Sequence, residues 1–210
     1  MNRVYPILDT AALARWGCPL GTAAAAFLSA GADILQIRHK GHWSREFFRE
    51  AEGVAELCEH AGALLIVNDR ADFAMLLHAG LHVGQDDLPP VAARRLIGNE
   101  RMLGFSTHNA EQLAAAVREP VSYVALGPIF LTPSKDQPDP EVGLARLRLW
   151  RGLAPQHPLV AIGGITRANA LSVLDAGADS VAVIGDLLPE ECTELNLARR
   201  FEEWLRLVGE

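Results

Sequence analysis

At 210 residues, half of them hydrophobic and 21% charged, the chain has an ordinary folded composition and is far from a disordered or low-complexity sequence. Its formal net charge of −7 argues against a basic face for nucleic acid, and no apolar run approaches the roughly 18 residues of a membrane span. Three cysteines without zinc-type spacing, and a start with no basic-then-apolar leader, predict a cytoplasmic protein without disulfides.

Taken in chain order, short β-rich runs alternate with Ala- and Leu-rich segments at helical spacing. Strands are predicted over 4–8, 34–38, 64–68, 81–83, 102–106, 123–126, 159–162 and 180–184. Helices are predicted over 22–30, 43–61, 71–78, 90–97, 110–119, 142–153, 167–176 and 190–208. Ser44 and Thr166 are expected to cap the helices that follow them, and Gly31, Gly62, Gly80 and Gly177 to supply left-handed helix ends. A helix-to-strand turn recurs in AGADILQIR, AGALLIVN, AGLHVG and AGADSVAVI. Parallel strands need crossovers, which helices supply. Eight βα units of about 26 residues predict an α/β fold, a single (β/α)8 TIM barrel over residues 1–210. A doubly wound open sheet is the rival, but the glycine-rich loop of its dinucleotide binders is replaced here by Leu8-Asp9-Thr10. Cys18, Cys58 and Cys192 read as reduced packing residues, and Trp150 and Trp204 as packed residues of outer helices.

In a barrel the strand C-termini and the loops after them form the active face. At the end of the second strand, alternation puts Gln36, Arg38 and Lys40 on one side, an amide and two cations suited to a phosphate or diphosphate. The third strand ends in Asn68-Asp69, and the fourth runs into Gly84-Gln85-Asp86-Asp87. Two carboxylates there would suit Mg2+, completed by water and phosphate oxygens. Helix capping is the competing role for these aspartates, above all Asp86. His82 reads as a packed or hydrogen-bonded strand residue, and the fifth strand closes on Ser106-Thr107-His108. Residues 127–141 contain Pro133, Pro138 and Pro140, which forbid a regular helix. They read as a lid or binding loop whose Thr132, Ser134 and Lys135 form an anion clamp. Gly163, Gly164 and Gly185 let backbone N–H groups after strands seven and eight meet a second phosphate. No nucleophile is paired with a base.

The phrases LQIRHK, LIVNDRADFA, HVGQDDLP, GFSTH, YVALGPIFLTPSK, VAIGGI and VAVIG, in order at successive strands, resemble the thiamine phosphate synthase family over nearly the whole chain. The resemblance implies a transferase that condenses 4-amino-5-hydroxymethyl-2-methylpyrimidine diphosphate with a thiazole phosphate, by Mg2+-dependent dissociative displacement. These small molecules are its implied partners, without nucleic acid or membrane, and a homo-oligomer is left open. Gln36, Arg38 and Lys40 are implied to hold the pyrimidine diphosphate, Asn68 and Ser106 to meet the pyrimidine, and Asp69 and Asp87 to bind Mg2+. Lys135 is implied to contact the diphosphate and to carry catalysis with Arg38 and Lys40. Thr132, Ser134, Gly164, Ile184 and Gly185 are implied to hold the thiazole phosphate. Two positions depart from the family pattern. Ser134 replaces a Thr and keeps its hydroxyl, whereas Gly185 replaces a Ser and is followed by Asp186, which would weaken phosphate binding if it faced inward. A thiazole tautomerase of the same barrel group is the alternative; that branch tends to lack the carboxylates and the lysine present here.

Overall fold

The computed structural model describes residues 2–131 and 139–209. Eight parallel strands close into a barrel in chain order: β1 (Val4–Asp9), β2 (Ile34–Arg38), β3 (Leu64–Asn68), β4 (Gly80–Val83), β5 (Leu103–Thr107), β6 (Tyr123–Leu126), β7 (Leu159–Ile162) and β8 (Ser180–Val183). The predicted α/β barrel is the observed fold, and β8 closes it by pairing Val181 with Val4.

Strand alternation sorts the side chains into two cores. Leu8, Leu35, Ile37, Val67, Val83 and Val181 point outward and pack under the helices. Tyr5, Ile7, Ile34, Ile66, Tyr123, Ala125, Val160 and Ala182 point inward and fill the barrel. The outer ring is made by α1 (Thr10–Arg15), α2 (Leu20–Ser29), α3 (Arg45–Ala61), α4 (Ala71–Leu76), α5 (Pro90–Ile97), α6 (Ala110–Ala116), α7 (Gly143–Trp150), α8 (Ala170–Asp175) and α9 (Glu194–Val208). Trp204 on α9 is fully buried, as expected of a packed outer-helix tryptophan. Among the described residues no helix is long and apolar enough to cross a membrane.

Local signals explain most boundaries. Ser44 accepts from the Phe47 N–H at 3.1 Å and caps α3 as expected. Thr166 does not cap α8. Its own N–H donates to Asn169 Oδ1 at 2.8 Å, and Asn169 stands at the helix start. Gly31, Gly62 and Gly177 adopt positive φ as predicted, but Gly80 does not end a helix. It lies in β4, and His78 takes the left-handed turn instead. Helix α1 was not foreseen: Asp9 ends β1 and at once caps the next element, accepting from the Ala12 N–H at 2.8 Å. Cys18 and Cys192, distant in sequence, bring their thiols together, and burial with this neighbour pushes Cys18 up to about 12, which makes it a poor nucleophile.

One glycine decides what the barrel interior can hold. A Cβ on Gly104 would stand 2.1 Å from Tyr123 Cζ and 2.4 Å from His82 Nδ1. The missing side chain of β5 therefore makes room for a tyrosine and a histidine from its two neighbours. Overpacking a rigid interior typically costs about 1–3 kcal/mol. Gly104→Ala should lower unfolding stability by about 3 kcal/mol in denaturant titration. Gly53→Ala, in α3 with nothing within 4 Å of its Cβ, should raise it by about 0.5–1 kcal/mol.

Candidate active site

A cavity of about 730 Å3 opens where the strands end. It is lined by Gln36, Arg38, Lys40, Asn68, Asp69, Asp87, Ser106, Gly164, Ile184 and Gly185, so the structure brings these sequence-predicted residues together. Thr132, Ser134 and Lys135 lie outside the described residues. A second cavity, of about 560 Å3, opens against Leu64, Gly80 and Met102 at the opposite strand ends and gathers none of these groups.

Two carboxylates set the cations of β2. Asp9 is the register partner of Arg38 across β1 and β2, and its Oδ2 accepts from the Arg38 guanidinium. The other oxygen of Asp9 caps α1, so this buried carboxylate ties helix, strand and cation together. Lys40, beyond the end of β2, pairs with Asp69 at the end of β3. Sequence reasoning named Arg38 and Lys40 but missed Asp9. It also missed Arg15 of α1, an exposed cation that lines the same cavity, because α1 itself was not foreseen. The one available signal was Asp9 at a strand C-terminus, followed by a helix-forming run.

Asp69 adopts φ +65°, unusual for a non-glycine residue. Its carboxyl does not cap α4, whose start at Arg70 has no side-chain cap. Burial raises its pKa against the lowering effect of Lys40, and the neighbouring Asp87 carboxyl raises it further. Asp87 also accepts from the Gly84 N–H at 2.7 Å, within its own turn. Asp86 is exposed and does not cap α5, which begins at Pro90 after Pro89; this corrects the expected capping role. Two adjacent carboxyls, one held towards its neutral form, are a donor set that a divalent cation would stabilise. Among the described residues no group of three or more His, Cys, Asp or Glu could hold a metal. A cation on Asp69 and Asp87 would therefore complete its shell with water and ligand oxygens, as Mg2+ commonly does.

The cavity floor is lined by buried polar side chains. Gln36, Asn68 and His82 are all buried. His82 accepts or donates at 2.9 Å to Tyr123 Oη and at 2.8 Å to Ser106 Oγ, in keeping with the hydrogen-bonded strand role expected of it. Burial pushes its pKa down to about 4. The Asn68 side-chain amide has no hydrogen-bond partner among the described residues and is not sealed from the cavity. Its amide is available to a ligand.

The far rim is built from backbone. Gly164 takes φ +64°, and a Cβ there would stand 2.5 Å from Leu131 O. The chain after β6 runs close alongside, with Ile129 N–H donating to Ile162 O at 2.8 Å and Phe130 N–H to Gly163 O at 3.0 Å. Asp186 lines the cavity, but its Oδ2 accepts from Arg167 Nε at 3.0 Å, which offsets the repulsion expected at a phosphate site. Nothing lies within 4 Å of a Cβ built on Gly185.

The profile of a family described as thiamine monophosphate synthase matches residues 4–187. A thiamine-phosphate synthase of Koribacter versatilis is 52% identical over 162 residues, 77% of this chain and 76% of that protein. One of Chloroflexus aurantiacus is 44% identical over 186 residues, 87% of this chain and 83% of that protein. The solved structure of thiamine phosphate pyrophosphorylase from Pyrococcus furiosus superposes with a TM-score of 0.81 at 28% identity, covering 99% of this chain and 97% of that one.

The neutral, buried His82 gives a pH signature. Between about pH 6.5, where an unfolded histidine titrates, and about 4, the unfolded chain binds a proton that the folded one refuses. His82 should therefore add stability above that window and lose it as pH falls through it. Unfolding midpoints from pH 7 to 4.5 should fall more steeply for the wild type than for His82→Gln; parallel curves would contradict this.

Proposed function

We propose that this chain, which belongs to the thiamine monophosphate synthase family, joins 4-amino-5-hydroxymethyl-2-methylpyrimidine diphosphate to a thiazole phosphate, giving thiamine phosphate and diphosphate. The observation that carries this reading is the end of β2. There Arg38 and Lys40, each held by a carboxylate on a flanking strand, face one cavity together with Asp87 and the buried amides.

The chemistry asks for charge and position rather than a base. The thiazole nitrogen attacks with a lone pair it already carries. Diphosphate leaves as an anion, and the electron-rich aminopyrimidine can bear the positive charge left on its methylene carbon. Arg38 and Lys40 bind the diphosphate oxygens and offset the charge that grows there as the C–O bond breaks. Asp9 holds the Arg38 guanidinium in place before substrate arrives, so little reorganisation is needed. Lys135 adds a further cation from the segment after β6. Mg2+ on Asp69 and Asp87 would supply additional neutralisation of the leaving group. At the opposite rim, Gly164, Ile184 and Gly185 offer backbone to the thiazole phosphate, a group that Thr132 and Ser134 also serve on the family pattern. Gln36, Asn68 and Ser106 meet the pyrimidine on the cavity floor. The tautomerase alternative finds no support: the named relatives are synthases, and Arg38, Lys40, Asp69 and Asp87 are gathered at one rim.

Diphosphate release should require both substrates and Mg2+ in a coupled assay. Turnover of the thiazole phosphate alone, or full activity after chelation, would overturn the reading. The open space at Gly185 gives a second test. A hydroxyl placed there can donate to the phosphate, a bond worth about 1 kcal/mol. Gly185→Ser should lower KM for the thiazole phosphate about fivefold and leave KM for the pyrimidine diphosphate unchanged.

A further inference from the structure

A single file of hydrogen bonds crosses the barrel along the cavity floor. Gln36 Nε2 of β2 donates to Tyr5 Oη of β1 at 2.9 Å. Tyr5 Oη lies 3.1 Å from Tyr123 Oη of β6, which lies 2.9 Å from His82 Nδ1 of β4. His82 Nε2 then lies 2.8 Å from Ser106 Oγ of β5. Tyr5 and Tyr123 are 1% and 0% exposed, so no bulk water can substitute for a member of the chain. All five members line the cavity, with Gln36 and Ser106 at the ends of the file.

Each inner member has one partner on either side, and this fixes the direction of every bond. An amide N–H can only donate. Tyr5 therefore accepts from Gln36 and gives its own proton to Tyr123, which gives its proton to His82 Nδ1. A neutral imidazole that accepts at Nδ1 carries its proton on Nε2 and donates there to Ser106. Ser106 is left with its O–H to donate into the cavity. At the other end the Gln36 amide oxygen has no hydrogen-bond partner among the described residues. Among the described residues the buried side-chain N and O atoms without a partner are Trp43 Nε1 and Trp204 Nε1 alone, so this oxygen is open to the cavity.

We infer that the Gln36–Tyr5–Tyr123–His82–Ser106 chain sets the polarity of the pyrimidine subsite, an acceptor at β2 coupled to a donor at β5, and so selects an amino-substituted diazine over its oxo counterpart. An exocyclic amine donates and its neighbouring ring nitrogen accepts. In the oxo compound the carbonyl accepts and the ring N–H donates, so the Gln36 oxygen meets another acceptor, and Ser106 must turn its proton away and accept through its remaining lone pair. Reversing the polarity to suit it would require the Gln36 amide to turn and all the protons between to move together. Tyr5, Tyr123 and His82 are thus positioning residues that act through Gln36 and Ser106. The inference rests on the proposed pyrimidine diphosphate substrate and adds the source of its discrimination.

Tyr123→Phe breaks the chain at its middle while keeping the ring. For the wild type, the 4-amino diphosphate should exceed its 4-oxo analogue in kcat/KM by about a hundredfold or more, because a site with fixed polar groups rejects a mismatched ligand strongly. In Tyr123→Phe that ratio should fall at least about tenfold, with KM for the thiazole phosphate unchanged. An unchanged ratio in a folded variant, or an equal loss for both pyrimidines and the thiazole, would overturn the inference. A second measurement needs neither substrate nor variant. Nitrogen-15 spectra of the histidine rings at pH 7 should show His82 protonated at Nε2 and bare at Nδ1; the opposite tautomer would overturn the inference. Failure of the wild type to use either pyrimidine would count against the proposed reaction, while the ring tautomer would still report on the chain.

Discussion

The ion pair between Asp9 and Arg38 is the constraint on which the rest of the rim depends. It joins register partners on adjacent strands, and one of its oxygens also begins the first helix. Taking a carboxylate and a guanidinium out of water is costly, and apolar residues of like size would often serve stability as well. What the pair supplies is a cation already aimed at the cavity. A long arginine left free would lose rotamer entropy each time it met a ligand. Lys40 and Asp69 repeat the arrangement one strand further on, in a more exposed setting, where the pair is weaker and the ammonium freer to engage a ligand.

Below this charged rim the barrel changes character within one strand length. Ile34 and Ile66 fill the lower interior, while Tyr5, Ile7 and Val160 line the cavity together with Gln36, Asn68, His82 and Ser106. Gln36, Tyr5, Tyr123, His82 and Ser106 bond to one another there, and Gly104 yields the space in which Tyr123 and His82 meet. A site built this way has little to rearrange during the reaction. Its two rims differ in kind, side-chain charge at one and glycine backbone at the other, across a floor of hydrogen-bonded side chains.

The barrel itself was legible in the sequence, since period-2 and helical runs alternate eight times and the strands begin and end within a few residues of their predicted limits. The β2 constellation was legible too, because alternation alone puts Gln36, Arg38 and Lys40 on one side. Asp9 was hidden because its two partners lie 3 and 29 residues away and its helix is a single short turn-rich element after a strand. Tyr5 and Tyr123 fall within the predicted strands over 4–8 and 123–126 with nothing nearby to single them out. Their contact joins residues 118 apart across the barrel, and no local pattern records it. The capping role given to Asp86 failed for a different reason. Pro89 and Pro90 open α5 without a side-chain cap, proline at the first turn needing no partner for its missing N–H.

The most direct measurement of the central claim is a crystal structure grown with Mn2+ and inorganic diphosphate, with the metal located by its anomalous scattering. Arg38 and Lys40 should both contact the diphosphate, and the metal peak should lie between it and the carboxylates of Asp69 and Asp87. A metal peak away from both aspartates, or diphosphate seated only on the glycine rim of Gly164 and Gly185, would contradict the account.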